Sequence, residues 1–315
     1  MVNFTFYLGC LGPIWSLNKR LGFDQRQFLI FATLFIFSPF YVFWSRTLMI
    51  ESTALFFGLS WLALSFSYLQ TGSWWRMGFA VAAGALGITT KSTTFVVFGL
   101  LIGGLASIKL MGAAPLRVLG LERRFNRSDA IKAAVCLAGC AIVLGIGIVW
   151  LKFSDETKQL NPLGELLDSE HLAQFNYGPF DLRWSKTLWE DAILRRALPE
   201  LFGPLFIVVF ACFGIALASR PHARLAMICA LGAVIPLLFV ANLHRVHNYY
   251  QYANGFFVIA IAALGCGALL QQKRLASSVA LLSTLLVSQI WQFQTDYKPD
   301  IEKDHTANSR YATGQ

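Results

Sequence analysis

The sequence predicts an all-α protein, a polytopic transmembrane helical bundle of about ten membrane segments with one sizeable extramembrane loop. Three observations predict it. The 315 residues are 56% hydrophobic and 14% charged, against about 25% charged in soluble chains. Apolar runs recur along nearly the whole length. The net charge of +9 is also unevenly shared among the intervening loops, as expected when loops alternate between two sides of a membrane.

The apolar runs cover roughly 2–17, 28–43, 52–69, 76–90, 92–108, 131–151, 201–218, 224–242, 253–270 and 275–292. Several fall short of the ~20 residues a full span requires, so one or two are expected to be re-entrant. The first run lacks a basic n-region and a small-residue cleavage site, so it does not read as a signal peptide. It reads instead as the end of a helix whose predecessor is absent, and the chain is expected to be truncated at its start. Loops 18–27, 71–76, 109–132, 219–224 and 271–274 hold 14 Lys and Arg against three acids, a balance of +11. The rest of the chain holds 12 basic and 14 acidic residues, a balance of −2. The positive-inside rule therefore places the first set in the cytoplasm. Topology accounts for the basic balance, and no nucleic-acid partner is required.

Residues 152–200 form the outer loop. Within it, 182–201 carries Trp184, Leu188, Ala192 and Ile193 at roughly helical spacing among charged residues. That pattern fits an amphipathic helix, either in the membrane interface or packed on the rim of the bundle. Pro162-Leu163-Gly164 and Gly178-Pro179 read as turns. The basic stretch 115–127 reads as a positive-inside loop, with contact to anionic headgroups as the alternative. The chain divides into a transmembrane domain over 1–292 and a polar tail over 293–315, expected to be disordered. All six cysteines lie in apolar runs, away from the outer loops where disulfides form, and Cys136 and Cys140 read as small packing residues. There is no Walker loop and no dinucleotide fingerprint, so no nucleotide cofactor is expected.

Three groups of residues stand out chemically. Arg46 and Glu51 are the only charges between Arg26 and Arg76, and a charge at membrane depth costs roughly 2.5–3.5 kcal/mol. Five positions apart, they lie about 140° around a helix and cannot form a good i,i+4 pair. Either the helix breaks between them or each has its own partner. They are boundary residues snorkelling to water, or an acid and a base lining an outer cavity. Lys91 is the only charge between Met77 and Ile108. As one helix that run would be about 48 Å long, so it predicts a hairpin turning at 87–94 on the outer face. A lysine among the hydroxyls of Thr89, Thr90, Ser92, Thr93 and Thr94 suits a phosphate; snorkelling is the alternative. The third group is His244, Arg245, His247, Tyr249, Tyr250 and Tyr252, able to bind an anionic headgroup and stack on a sugar. His244 and His247 at i,i+3 lack a nearby carboxylate, so no metal site is indicated, although a divalent ion remains compatible.

The motifs Ser38-Pro39 with Ser45-Arg46-x-x-Met49-x-Glu51, Gly84-x-x-Gly87-Ile88-Thr89-Thr90-Lys91, and His247-x-Tyr249-Tyr250 resemble those of the polyprenyl-phosphate-dependent membrane glycosyltransferases. These form the GT-C superfamily, which includes protein O-mannosyltransferases and aminoarabinose transferases of lipid A. The resemblance covers roughly 18–270. It implies transfer of a sugar, with inversion, from a polyprenyl-phosphate donor to a lipid, glycan or protein acceptor. It implies transfer on the extracytoplasmic face of the bacterial inner membrane. It places Glu51 and Arg46 at the reacting centre, with Lys91 and Arg245 on the donor phosphate. His244, His247, Tyr249 and Tyr250 then line the sugar or phosphate pocket. Cations suit a phosphate leaving group that gains charge, and a carboxylate suits deprotonation of an acceptor hydroxyl. The family's acidic residue in its first outer loop has no counterpart here, so an inactive truncated relative is an alternative expectation. A transporter or flippase of lipid-linked sugars is another. It predicts charges at the bundle midplane and internal repeats, and neither is apparent.

Overall fold

A computed structural model describes residues 2–111 and 127–303, and every regular element among them is helical. The stretch 112–126 and the tail beyond 303 lie outside the described residues, and with them most of the basic loop 115–127.

α1 (Val2–Gly9) and α2 (Leu11–Arg20) run from one end of the bundle to the other. Asn3 bonds Thr47 and Thr53 at the first end, and Arg20 bonds Gln70 at the second. Asp24 caps α3 (Gln25–Ile36) by accepting from the Gln27 N–H at 2.9 Å. Ser38-Pro39 then redirects the chain, and α4 (Pro39–Ser45) leaves at 61° to α3. α5 (Glu51–Thr71) follows and ends on Gly72, whose φ of 72° suits a residue without Cβ.

α6 (Trp74–Leu110) is broken only at Lys91, where φ is −159° and ψ is 98°. Both ends of α6 meet the last turns of α5: Arg76 donates to the Ser67 hydroxyl at 2.8 Å and Lys109 to the Leu69 carbonyl at 3.0 Å. A straight helix would hold those two cations roughly 50 Å apart, so α6 doubles back at Lys91. Among lipid tails, burial of apolar surface drives little helix association, and close packing at small residues takes over. A Cβ on Gly87 would stand 2.6 Å from the Phe95 ring across this reversal, and one on Gly58 would overlap Phe98. α7 (Arg127–Gln159) starts beside Lys109, where Asp129 pairs with it at 3.2 Å. It passes Ile88 at Gly147 and then extends 12 residues, about 18 Å, beyond the hairpin.

The loop holds α8 (Pro162–Glu165), α9 (Ser169–Tyr177), a 3-10 turn (Phe180–Trp184), a π-helix (Thr187–Ala197) and α10 (Leu198–Phe202). α11 (Val208–Ala218), α12 (Arg220–Phe239), α13 (Ala241–Val246), a 3-10 turn (Asn248–Gln251), α14 (Tyr252–Gln271) and α15 (Leu275–Gln292) complete the bundle. α14 is buried along most of its length and packs on α3, α11, α12 and α15.

Six of these helices are long and apolar enough to cross a membrane, or seven if α3 and α4 count as one bent span. They mark a membrane-embedded protein. The ten sequence segments do not emerge as ten such helices, for identifiable reasons. The first is divided at Cys10, α3–α4 is bent, α11 has only 11 residues, and 76–90 and 92–108 share one interrupted helix. The expected loop helix over 182–201 is likewise three pieces, with Leu188 and Ala192 buried on the bundle's end and Trp184 exposed. The chain stays helical to Lys303, where an unstructured tail was expected from 293. Tyr297 is buried there and packs on Phe43 with ring centroids 4.8 Å apart.

Candidate functional site

The end of the bundle that carries the loop gathers residues distant in sequence. The link 46–50 ends α4 and leaves Glu51 as the first residue of α5, where the helix dipole favours a carboxylate. Glu51 is nonetheless 1% exposed, so it needs a partner. Lys91 supplies it. The reversal of α6 brings the ammonium onto the Glu51 Oε1 as a buried ion pair. The same ammonium lies 4.7 Å from the Tyr249 ring centroid and 4.2 Å from that of Tyr250, within cation–π range. Tyr249 in turn meets Trp44 edge-on at 5.5 Å, and His247 stacks on it at 5.2 Å. Below this cage, the Ser52 and Tyr252 hydroxyls bond at 2.7 Å, and Tyr41 donates to the Tyr252 carbonyl at 2.5 Å.

Glu51 Oε2 is buried and has no hydrogen-bond partner. A buried carboxylate oxygen in that state calls for water or a ligand hydroxyl. The carboxylate therefore presents one oxygen held by Lys91 and one free to accept a proton or hydrogen bond.

The hydroxyls expected around Lys91 do not all behave alike. Thr89 and Thr90 donate back along their own helix, to the Ala85 carbonyl at 2.8 Å and the Leu86 carbonyl at 2.6 Å. Their hydroxyls are consumed by the helix, whereas those of Thr93 and Thr94 are buried without a hydrogen-bond partner. The lysine ammonium itself meets a carboxylate and two aromatic rings. Two further candidates stand apart from the cage. Arg46 is exposed and forms no ion pair among the described residues. Arg245 is also exposed, its guanidinium donating to the Asn242 side chain at 3.0 and 2.9 Å. His244 is 2% exposed and lies behind Tyr250, centroids 6.3 Å apart. Burial, reinforced by the charges of Lys91 and Arg196, pushes its pKa down to about 3. His244 is thus a neutral hydrogen-bonding group and contributes no charge to a phosphate.

The loop holds this assembly in place. Arg183 donates to the Leu238 carbonyl at 2.8 Å and the Phe239 carbonyl at 3.2 Å, closing the end of α12. Arg196 donates to the His244 and Arg245 carbonyls at 2.9 and 2.8 Å. Cations at helix C-termini satisfy carbonyls the helix leaves open. Sequence reasoning missed Arg196, Glu200 and Tyr297. Glu200 accepts from Asn248 at 3.1 Å, next to the tyrosine cage. A signal for it existed: like Glu51, it is a single acid directly preceding an apolar run.

Among the described residues no three His, Cys, Asp or Glu side chains converge as a metal site. An apolar cavity of about 140 Å³ lies toward the opposite end, bordered by Leu17, Phe31, Leu105 and Phe257, and holds no charged side chain. An open apolar hollow of about 590 Å³ flanks the hairpin turn, between Thr89 on α6 and Val149, Trp150 and Phe153 on α7. No family profile, no curated protein and no solved structure matches this chain.

Proposed function

We propose that this protein is a membrane glycosyltransferase. It takes a sugar from a polyprenyl-phosphate donor and passes it to a lipid, glycan or protein acceptor on the extracytoplasmic face of a bacterial inner membrane. The observation that carries the reading is the convergence of Glu51, Lys91, His247, Tyr249 and Tyr250 at one end of the bundle. These are five of the eight residues the family resemblance singles out, and they come from three separate stretches of chain. Arg46 and Arg245 stand outside the cage, and His244 lies behind Tyr250. The hollow at Thr89, two positions before Lys91 in the chain, offers apolar room suited to an isoprenoid chain.

In this reading the donor phosphate shares the Lys91 ammonium with Glu51, and Tyr249 and Tyr250 face the sugar. The acceptor oxygen attacks the anomeric carbon, and its proton passes to the free Glu51 Oε2. The anomeric C–O bond breaks with its electron pair going to the phosphate oxygen, where Lys91 offsets the growing charge. A preorganised cation in this role contributes about 10²–10³ in rate.

The test is transfer from a labelled polyprenyl-phosphate sugar in inverted and right-side-out membrane vesicles. Glu51→Gln and Lys91→Ala are expected to lower the rate by about 10²-fold or more, with Lys91→Arg as a folding control that keeps the charge. Transfer at the parental rate in both loss-of-charge variants would sink the assignment.

A further inference from the structure

A second group of buried polar atoms lies beside the Lys91 cage, and the cage does not use it. Arg196 of the π-helix bonds the His244 and Arg245 carbonyls, and Glu200 of α10 bonds Asn248, the residue before Tyr249. Tyr297 packs on Phe43, whose neighbour Trp44 touches Tyr249. The His244 ring faces Tyr250. In this one neighbourhood Arg196 Nε, Glu200 Oε2, both ring nitrogens of His244 and the Tyr297 hydroxyl are buried without a hydrogen-bond partner. Native proteins leave only a few such atoms per hundred residues, so five around one connection mark a place where something else bonds them.

The kinds of atom left open define what fits. The guanidinium Nε–H only donates and the carboxylate oxygen only accepts. The phenol does both, and a neutral imidazole does one of each. A phosphate would leave the acceptors unmatched and an ammonium would leave the donors unmatched. A hydroxyl donates and accepts and matches the set. Arg196 offsets the Glu200 charge, the nearby Asp296 is exposed to solvent, and the rings of Phe43 and Tyr297 supply faces for a sugar's C–H surface. We propose that Arg196, Glu200, His244 and Tyr297 form a subsite, separate from the Lys91 cage, that binds a neutral polyhydroxyl group such as a sugar ring. Burial acts in the same direction, raising the Glu200 carboxyl above its ordinary range and keeping His244 uncharged. That the bound group is a reactant rests on the transferase reading; the binding itself does not.

The test uses the full chain in lipid nanodiscs and an octyl glycoside carrying a diazirine on its sugar. Photolabelling is expected on peptides containing 196–200, 244–250 and 297. Excess methyl glycoside should compete, and octyl phosphate should not. Glu200→Gln and Tyr297→Phe should each lower labelling about tenfold, the equivalent of one or two lost hydrogen bonds. Tyr297→Phe keeps the ring and decides the matter if Glu200→Gln folds poorly. Labelling should persist in the Glu51→Gln/Lys91→Met double variant, which removes both charges of the cage and strands neither. Its loss there, competition by octyl phosphate, or unchanged labelling in both subsite variants would overturn the subsite. Intact labelling with no sugar transfer would overturn the function proposed above and leave the subsite standing.

Discussion

The Glu51–Lys91 pair is the decisive feature at the scale of single residues. Each charge alone would be stranded in a nearly dry setting, with Glu51 1% and Lys91 15% exposed. Removing one partner from a buried pair typically costs about 3–5 kcal/mol, because the other charge remains unpaired. Lys91→Met is therefore expected to destabilise the protein by about that amount, and adding Glu51→Gln should restore much of the loss. A thermal-unfolding double-mutant cycle in detergent checks this, and additive effects would show that the pair contributes no coupling. Glu51 and Lys91 each stand out in the sequence as lone charges in apolar runs. Their pairing does not, because nothing in the linear spacing states which residues meet across 40 positions. Arg46 is the converse case: its anomaly is equally legible, yet the link 46–50 turns it outward, away from Glu51.

The elements differ in how far local chemistry determines them. The reversal of α6 is legible because a continuous helix would exceed the bilayer by a wide margin, and Gly87 permits the halves to approach. Which of the turn's hydroxyls stay open was not legible, because threonine hydroxyls near a helix end can bond either a ligand or their own backbone. Thr89 and Thr90 bond their own backbone, and Thr93 and Thr94 do not. α9 offers a pH test of an element. Asp168 caps it by accepting from the His171 N–H at 2.9 Å and meets the His171 ring at 2.8 Å. The cap's hydrogen bonds hold Asp168 down at about 2, and Asp168 in turn raises His171. The aspartate's contribution is present above its unfolded value of about 3.9 and fades as pH falls toward 2. The histidine's is complete below about 6.5 and is lost as pH rises through the raised folded value. Hydrogen exchange of the α9 amides, corrected for intrinsic rates, should be slowest between about pH 4 and 6.5. Asp168→Asn should flatten that dependence. A profile unaffected by the substitution would mean the cap does not govern this helix.

For the whole molecule, the charge census predicts an orientation that the arrangement of the helices can be tested against. Arg20, Arg76, Lys109 and Lys132 gather at one end, and Glu51, Lys91 and the loop 160–200 at the other. With the basic end in the cytoplasm, a membrane-impermeant maleimide should label Leu163→Cys in intact cells, and Gln272→Cys only after lysis. Both positions are exposed, whereas five of the six native cysteines are buried and Cys140 is half-buried, which keeps the background low. Labelling of Gln272→Cys in intact cells would reverse the orientation and remove the extracytoplasmic site.

Composition and apolar runs alone determined that this chain is a helical membrane protein, because exclusion of charge from hydrocarbon is a property of each segment by itself. They also determined which few charges are out of place. Which of those charges meet, and which polar atoms remain unbonded, depended on how the helices bend and pack. Lys91 reaches Glu51 only because α6 reverses, and Glu200 lies beside the tyrosine cage only because Arg196 ties the loop to His244 and Arg245 and Asn248 bonds Glu200 itself. Such contacts depend on distance in space, which the order of residues along the chain leaves open.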